Sequence, residues 1–422
     1  MTDLLHDPYA GSILHEGLGP VLTREQVLRS LVELPPPPTR LSGVPRHIRL
    51  HLLMRLRDLH IPQLEECRLY DTVDLMIRTG YRYRDPNATA TFAALSGEAM
   101  RYKRPGTRAI AAAAEGASGC GKTEAALRCF GLYPRQCLMH DSFPRLLGPH
   151  MQVVWLSADV PSSGKSEDLA RTLMTTWLRD TGSDRFTALL AKERFSNPLQ
   201  ALEEWRQVAL AHSLGILHLD EVQNFFKLGT LEQRRKRKSG DGPPELSIIE
   251  DQCLKWVLTL LNTWGLPILF TGTPDGIGAL TKRLSTMERF ATGGYHAFGV
   301  FETWDDPAYK QSFLGQLGRY QYLERKLAID DDIAKLILEL SGGIRRIIVA
   351  LWIAGQRIAL ERVTDDFRAT DLVTAANTFL APLAPAVAAI RSKDPIRMSR
   401  FEDLVSRDPT FWLRFWSNMS SV

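Results

Sequence analysis

The stretch IAAAAEGASGCGKT, residues 110–123, joins an apolar run to a glycine-rich loop that ends in a Lys-Thr pair. Its second half matches G-x-x-x-x-G-K-[ST], a loop whose backbone N–H groups close around phosphate oxygens at the positive end of a helix. The apolar run before the loop and the helical pattern KTEAALRCF after it provide the context that this motif requires. The sequence therefore predicts a strand, a phosphate-binding loop and a helix, with these candidate nucleotide-binding residues: Gly116, Ser118, Gly119, Cys120, Gly121, Lys122 and Thr123.

Two side chains at the end of this loop have separate predicted tasks. The ammonium group of Lys122 would neutralise the β- and γ-phosphates of a nucleoside triphosphate, and the hydroxyl of Thr123 would ligate Mg²⁺. ATP and Mg²⁺ are therefore the expected cofactors.

The stretch GILHLDE, residues 215–221, has the pattern of a buried strand that ends in two carboxylates. Adjacent acids at such a position are costly to bury unless a cation or a water molecule uses them. We expect Asp220 to hold Mg²⁺ and Glu221 to orient and deprotonate the attacking water. His218 lies on the same strand, where a core histidine is favoured over a member of the site.

The stretch LPILFTGTPDG, residues 266–276, is a further apolar strand that ends in small polar residues. In a parallel sheet that end lies beside the nucleotide. The hydroxyl of Thr273, or alternatively that of Thr271, would then sense the γ-phosphate. A polar strand end without this role is also compatible with the pattern.

Four arginines beyond that strand are candidates for contact with the γ-phosphate. In LTKRLSTMERFATGG, Arg283 and Arg289 could serve a neighbouring subunit as an arginine finger, and catalysis would then require oligomerisation. In SGGIRRII, Arg345 or Arg346 could fold back onto the nucleotide of its own chain or lie in solvent at a helix start. Arg289 is the catalytic candidate and Arg345 the nucleotide-binding candidate.

Strand-length apolar runs alternate with helical patterns through the middle of the chain. This alternation predicts an α/β fold with a parallel sheet between helices, followed by a small all-α lid domain. The predicted domains are an N-terminal arm with a proline-rich linker (1–43), a helical lead-in (44–105), an ATPase core (106–302), a helical lid (303–385) and a C-terminal tail (386–422). Within the arm we expect one short helix around Glu25–Val32.

The pattern RHIRLHLLMRLRDLH, from Arg46, predicts the amphipathic helix that opens the lead-in. Ile48, Leu52, Leu53 and Leu56 share one helical stripe. Arg49 and Arg57 fall outside this stripe, on the polar side of the predicted helix.

Composition narrows the class of protein. No apolar run approaches the ~18 to 20 residues of a membrane span, and the N-terminus lacks a signal-peptide pattern, so a cytoplasmic protein is expected. The five cysteines are scattered without Cys-x-x-Cys spacing, which favours neither a disulfide framework nor a zinc site. The net charge of +4 is too small to indicate a polyanion-binding protein by itself, so any such binding must use local clusters.

The order of these motifs, with an α-helical lid after the sheet, resembles the AAA+ ATPases, and especially their DnaA/Cdc-six initiator-like branch. MIRTGYRYRDP (76–86), LPILFTGTPDG (266–276) and LAPLAPAVAAIRSKDPIRMSRFEDLV (380–405) are similar to the segments that mark TnsC, the ATP-dependent regulator family of Tns-type bacterial transposons. The resemblance covers about residues 43–405.

This resemblance implies a ring or filament, a homo-oligomer that assembles with ATP on double-stranded DNA. It would receive a target-selector protein, either a CRISPR-associated adaptor or a site-specific DNA-binding protein, and would recruit transposase subunits; hydrolysis would dissolve the assembly. The region Arg78–Tyr83 would lie near the adenine. Nucleotide roles are implied for Gly116, Gly119, Gly121, Lys122, Thr123, Asp220, Glu221, Thr273 and Arg289.

A run of five cations, Arg234, Arg235, Lys236, Arg237 and Lys238, follows Glu221 in the connection to a helix expected near Leu246. Such a run is usually solvated surface. In the TnsC-like assembly it would instead contact the DNA backbone, without base readout. A protein-remodelling or loader-type ATPase, or a signalling scaffold ATPase, is the alternative that would not bind DNA directly.

Overall fold

The computed structural model describes residues 8–88, 91, 110–228, 246–283 and 293–392. In chain order the α-helices are α1 Ile13–Glu16, α2 Arg24–Leu31, α3 Arg46–Leu53, α4 Leu64–Tyr83, α5 Lys122–Gly131, α6 Ser166–Thr181, α7 Thr187–Leu190, α8 Pro198–Ala211, α9 Asp251–Asn262, α10 Pro274–Arg283, α11 Gly315–Leu317, α12 Asp331–Ser341, α13 Arg345–Glu361, α14 Ala369–Asn377 and α15 Ala384–Arg391. A π-helical segment, Ala308–Leu314, leads into α11, and 3₁₀ turns cover Met54–Asp58, Val222–Phe225 and Ala381–Leu383.

The strands are β1 Ala111–Gly116, β2 Cys137–His140, β3 His150–Val153, β4 Trp155–Asp159, β5 Ile216–Asp220, β6 Phe226–Leu228, β7 Leu246–Ile248, β8 Ile268–Gly272 and β9 Tyr295–Phe298. Five of them form one sheet in the order β4-β5-β8-β1-β9. The pairs β4–β5, β5–β8 and β1–β8 are parallel. This is the sheet of the AAA+ P-loop ATPase fold, and the predicted α/β class is confirmed.

The order of the strands places the predicted site. The glycine-rich loop follows β1. Asp220 is the last residue of β5 and Glu221 follows it, and β8 lies between β1 and β5 in the sheet. Because the three strands are parallel, their carboxyl ends meet at one edge of the sheet. All five residues of β5 and all five of β8 are buried, as expected of strands covered on both faces.

Contacts between residues divide the chain into two compact units. The first holds the described residues within Met1–Arg29, Gln63–Glu115 and Lys122–Ala297, including most of the sheet. The second holds those within Ser30–Pro62, Gly116–Gly121 and Phe298–Val422. This division reflects packing, whereas the domain limits drawn from sequence reflect composition and motifs, so those limits stay a prediction.

The core of the first unit lies between the sheet and its helices. Helix α6 packs against β4 and α8, while α4 packs against α5 and β5. Trp177 of α6 and Trp205 of α8 are among its largest fully buried side chains. The short helix predicted in the arm is confirmed as α2, but the expectation of one helix there is wrong, because α1 precedes it.

The second unit has its own apolar core, built mainly by α12, α13 and α14, with α3 and the following 3₁₀ turn packed against it. The helical region predicted after the sheet is therefore confirmed. Within the described residues, no helix is by itself long and apolar enough to span a membrane; α14 and residues 381–391, bent by 70°, pass that test only as a pair.

The prediction for α3 was wrong on two side chains of this unit. Arg49 is buried, with its Nη1 2.7 Å from Asp365 Oδ2 and its Nε donating to the carbonyl of Val44 at 2.8 Å. Ile48, placed on the inner stripe, is 42% exposed. A charged side chain can be buried when an opposite charge and a backbone acceptor compensate its lost hydration, and a hydrophobic pattern does not reveal that compensation.

The helix expected near Leu246 is also displaced, because Leu246 begins strand β7 and the helix begins at Asp251. Strands β6 and β7 pair antiparallel, with Phe226 opposite Ile248. The basic run Arg234–Lys238 belongs to the segment joining these strands, which lies outside the described residues.

Candidate functional site

The glycine-rich loop follows β1 without a break and leads into α5. Gly119 and Gly121 have φ angles of +85° and +94°, a left-handed backbone that glycine adopts without steric cost. A Cβ at Gly121 would meet no atom within 4 Å, whereas a Cβ at Gly116 would come within 2.4 Å of the carbonyl oxygen of Phe298. The loop therefore has the glycine-dependent backbone that the motif predicts. Ser118 and Cys120 are buried within it.

Thr123 and Asp220 are in direct contact. The Thr123 hydroxyl donates to Asp220 Oδ2 at 2.5 Å, which joins the start of α5 to the end of β5. Asp220 Oδ1 accepts from the backbone N–H of Glu221 at 2.8 Å and from the Thr271 hydroxyl on β8. Asp220 is 3% exposed, so these three donors replace water around its carboxylate.

His218, fully buried on β5, makes two hydrogen bonds across the sheet. Its Nδ1 lies 2.8 Å from the Ser157 hydroxyl on β4, and its Nε2 lies 2.9 Å from the Thr271 hydroxyl on β8. Burial lowers the pKa of His218, with the nearby Asp220 opposing the shift. The interpretation as a core histidine is compatible with this burial, but the contact with Thr271 also connects His218 to Asp220.

Glu221 follows β5 in a strained conformation, with a φ of +56°. Left-handed backbone at a residue with a side chain costs on the order of 1–3 kcal/mol and clusters at active sites. Burial, and then the charge of Asp220, raise the pKa of the Glu221 carboxyl, while Lys122 and the amide of Gln223 oppose the rise. A carboxylate whose pKa is moved toward neutrality is suited to accept a proton.

Gln223 connects Glu221 to the end of β8. Its Nε2 donates to Glu221 Oε2, and its Oε1 accepts from the backbone N–H of Thr273 at 3.2 Å. A Cβ at Gly272 or at Gly276 would come within 2.8 Å or 2.6 Å of the Gln223 side chain. Glycine at these two positions therefore makes room for the amide bridge.

Thr273, the predicted γ-phosphate sensor, stands before α10. Its hydroxyl oxygen accepts from the backbone N–H of Gly276 at 3.3 Å, which is the geometry of a helix cap. Accepting this bond leaves the hydroxyl hydrogen for another acceptor. Thr271, the alternative sensor, is fully buried and donates to Asp220 instead. The sensor role of Thr273 stays a prediction.

Asp159 is a further carboxylate at this edge of the sheet that the sequence motifs did not include. It ends β4 directly opposite Asp220 in the register of the two strands. Burial, followed by the charge of Asp220, raises the pKa of the Asp159 carboxyl. The available sequence signal was an acidic residue at the end of an apolar strand. Gln223 had no comparable signal, because its role depends on how the turn after β5 folds.

Arg345 begins α13 and belongs to the second unit. Its guanidinium lies 4.3 Å from the ring centroid of Phe301 and 5.2 Å from that of Phe313, and its Nη1 donates to the carbonyl of Ile61 at 3.3 Å. These contacts hold the arginine at the helix start. A contact with the nucleotide stays a prediction, as does every role of Arg346, which is exposed.

Other predicted residues lie outside the described part of the chain. They comprise Arg289 and all five members of the basic run; for Arg283, which ends α10, the structure describes the backbone and not the side chain.

The side chains at the edge of the sheet fit a magnesium nucleotide. Mg²⁺ prefers oxygen ligands, retains several waters and is usually held by one or two carboxylates together with substrate phosphates. Thr123 and Asp220 supply a hydroxyl and a carboxylate in contact, and the mostly buried ammonium of Lys122 is close enough to affect the pKa of Glu221. Among the described residues no group of three His, Cys, Asp or Glu side chains could hold a metal alone. A site completed by phosphate oxygens requires no such group.

The comparison with protein families agrees with this geometry. Residues 108–280 match the family model of the AAA domain. This segment contains the glycine-rich loop, both acids of the β5 end and Thr273. A search of the curated proteins found no match.

The comparison with solved structures finds matches of low identity. The Aeropyrum pernix ORC1 protein in complex with DNA has 15% identity and a TM-score of 0.40, over 71% of this chain and 65% of that one. The Walker-type ATPase of Pyrococcus abyssi has 14% identity and a TM-score of 0.39, over 76% and 77% of the two chains. Drosophila ORC bound to DNA has 12% identity and a TM-score of 0.40, over 99% and 91%. The chain thus spans less than two thirds of the ORC1 protein.

Proposed function

We propose that the protein is a Mg²⁺-dependent ATPase that acts as a DNA-binding regulator of transposition. The observation that best supports ATPase activity is the contact between Thr123 and Asp220 at the end of the glycine-rich loop. It brings together the two motifs that sequence places nearly 100 residues apart, in the arrangement that a magnesium nucleotide requires.

The chain's own residues divide the work of hydrolysis. The loop backbone and Lys122 bind the phosphates, and Thr123 and Asp220 hold the metal, which when bound neutralises developing negative charge on the phosphates. Glu221 accepts the proton of the attacking water, because its raised pKa brings the carboxyl closer to the working pH. Gln223 orients the Glu221 carboxylate and ties it to the backbone of Thr273.

The regulatory role is supported by the sequence resemblance to TnsC and by the basic run. In this proposal ATP drives assembly of a homo-oligomer on duplex DNA, with Arg289 reaching the nucleotide of a neighbouring subunit. The assembly links a target selector to the transposase and dissolves on hydrolysis. The five cations from Arg234 to Lys238 contact phosphates of the DNA backbone, which gives affinity without sequence preference.

The deciding experiment measures binding of the full chain to duplex DNA, with and without ATP and Mg²⁺, at several salt concentrations. We expect ATP-dependent binding without sequence preference, and a loss of about 0.9 logarithmic units of affinity per logarithmic unit of salt for each phosphate neutralised. Lys122→Ala should abolish the ATP dependence. ATP hydrolysis without DNA binding would favour a protein-remodelling or scaffold ATPase, and DNA binding indifferent to Lys122→Ala would refute the switch.

A further inference from the structure

A continuous chain of hydrogen bonds crosses the sheet and ends at the carboxylate proposed to hold the metal. It runs from Ser157 on β4 to His218 on β5, then to Thr271 on β8, and from Thr271 to Asp220. The other oxygen of Asp220 accepts from Thr123. No local sequence pattern indicates this chain of hydrogen bonds, because the order of the strands brings its members together.

The direction of the bonds follows from counting donors. A carboxylate accepts and cannot donate, so Thr271 uses its one hydroxyl hydrogen on Asp220 Oδ1. The Thr271 oxygen must then accept from His218, which places a hydrogen on His218 Nε2. In the neutral imidazole Nδ1 is consequently the acceptor and receives the Ser157 hydroxyl.

The packing leaves His218 little freedom to reorient. The ring is fully buried, and its centroid lies 5.6 Å from that of Phe130 on α5, the helix that begins with Lys122 and Thr123. Without the Nε2–H of His218, the Thr271 hydroxyl could rotate its hydrogen to another acceptor, and Asp220 Oδ1 would lose a buried donor.

We propose that His218 is a positioning residue for the metal-binding carboxylate: its Nε2–H fixes the Thr271 hydroxyl as a donor to Asp220 Oδ1, which keeps Oδ2 directed at Thr123. This inference rests on the proposed ATPase function. The residue acts through Thr271, because its hydrogen bonds go to Ser157 and Thr271 and not to Asp220 itself. Groups that orient metal ligands in this way typically contribute about 10- to 100-fold to metal affinity.

The test uses the full chain and a fluorescent ribose-labelled ATP analogue, with binding measured in EDTA and across a Mg²⁺ titration. His218→Asn shortens the side chain and removes the donor to Thr271, so we expect the apparent Mg²⁺ affinity to fall about tenfold or more. Binding of the analogue in EDTA should change less than twofold. His218→Gln, whose amide can reach the Nε2 position and donate to Thr271, should stay within about threefold of the wild type.

Substitutions at Thr271 separate positioning from packing. Thr271→Val keeps the shape without the hydroxyl and should match the loss in His218→Asn, while Thr271→Ser should restore the affinity. Because His218 acts through Thr271, His218→Asn should cost almost nothing further in the Thr271→Val background. If His218→Asn does not fold, which a thermal melt detects, Thr271→Val against Thr271→Ser decides the same question.

Each outcome has a separate meaning. The inference alone is overturned if two results occur together. The wild type binds the analogue with Mg²⁺, and Lys122→Ala abolishes that binding, but His218→Asn and Thr271→Val leave the Mg²⁺ affinity unchanged. Losses that multiply in the double variant overturn it as well, since independent effects would indicate separate packing roles. A wild type without Mg²⁺-dependent binding overturns the proposed function together with it.

Discussion

Replacement of Gln223 by methionine should move the pH dependence of ATP hydrolysis toward higher pH. The variant keeps the length and volume of the side chain that Gly272 and Gly276 accommodate, but it removes the bond donated to Glu221. That bond favours the charged carboxylate, and its loss adds to the burial that already raises the pKa of Glu221. The base is then protonated, and inactive, over a wider range of pH.

The size of the displacement follows from the strength of the bond. A hydrogen bond to a charged group contributes about 1.5–3 kcal/mol, and 1.36 kcal/mol corresponds to one pH unit. Since Glu221 is partly exposed, solvent screens the interaction, and the lower end of this range applies. We expect the acidic limb of the rate profile to move up by about one pH unit, which lowers the rate about tenfold on that limb.

The assay is phosphate release at saturating ATP and Mg²⁺ from pH 5.5 to pH 9. The rate of Gln223→Met should approach that of the wild type at alkaline pH. Glu221→Gln, which has no base, should stay about 10²- to 10⁴-fold slower than the wild type at every pH. Asn224→Leu is the matched control, because the neighbouring amide in the same 3₁₀ turn donates to the carbonyl of Val160 instead. A profile of Gln223→Met that coincides with the wild type, or a loss equal at all pH values, would refute the assigned role of the amide.

Three further outcomes are expected. Replacing the five cations of Arg234–Lys238 by alanine should weaken duplex binding and reduce its salt slope by up to about 4.5, at about 0.9 per phosphate contact, with ATP binding retained in a fluorescence titration. Burial, and then His212, lower the pKa of His150 to about 4, below its ordinary value. The contribution of neutral His150 to the free energy of unfolding is therefore fully present above about pH 6.5 and is lost as the pH falls toward 4. In thermal melts of His150→Phe, the melting temperature should fall less steeply over this range of pH. Asp365→Ala removes the nearer carboxylate from buried Arg49, which keeps only the more distant Glu324, and should cost about 3 kcal/mol in urea unfolding, more than an exposed ion pair; a loss under 1 kcal/mol would contradict the buried pair.

The parts of the site that sequence predicted are those that a short segment determines by itself. The loop around Gly119 needs glycine at fixed offsets from Lys122, and the acids of β5 stand directly after a buried strand. By contrast, the bond from Thr271 to Asp220 and the place of Asp159 opposite Asp220 depend on neighbouring strands, and no local pattern contains the order of a sheet. The prediction for Arg49 was wrong for a related reason, because its partner Asp365 is more than 300 residues away in sequence.

The environments of Asp220 and Glu221 explain how two adjacent carboxylates can have different roles. Asp220 accepts three hydrogen bonds from Thr123, Thr271 and a backbone N–H, which fix both of its oxygens, as the proposed metal ligand requires. Glu221 follows it in left-handed backbone, where burial raises its pKa and an amide side chain orients it, as a proton acceptor requires. When the surroundings of two neighbouring acids push their pKa values apart, the two acids can have different chemical roles. The loss of Mg²⁺ binding and the change in pH dependence should therefore occur in different variants. Thr271→Val should weaken the binding of Mg²⁺ without moving the pH profile of ATP hydrolysis. Gln223→Met should move that pH profile without weakening the binding of Mg²⁺.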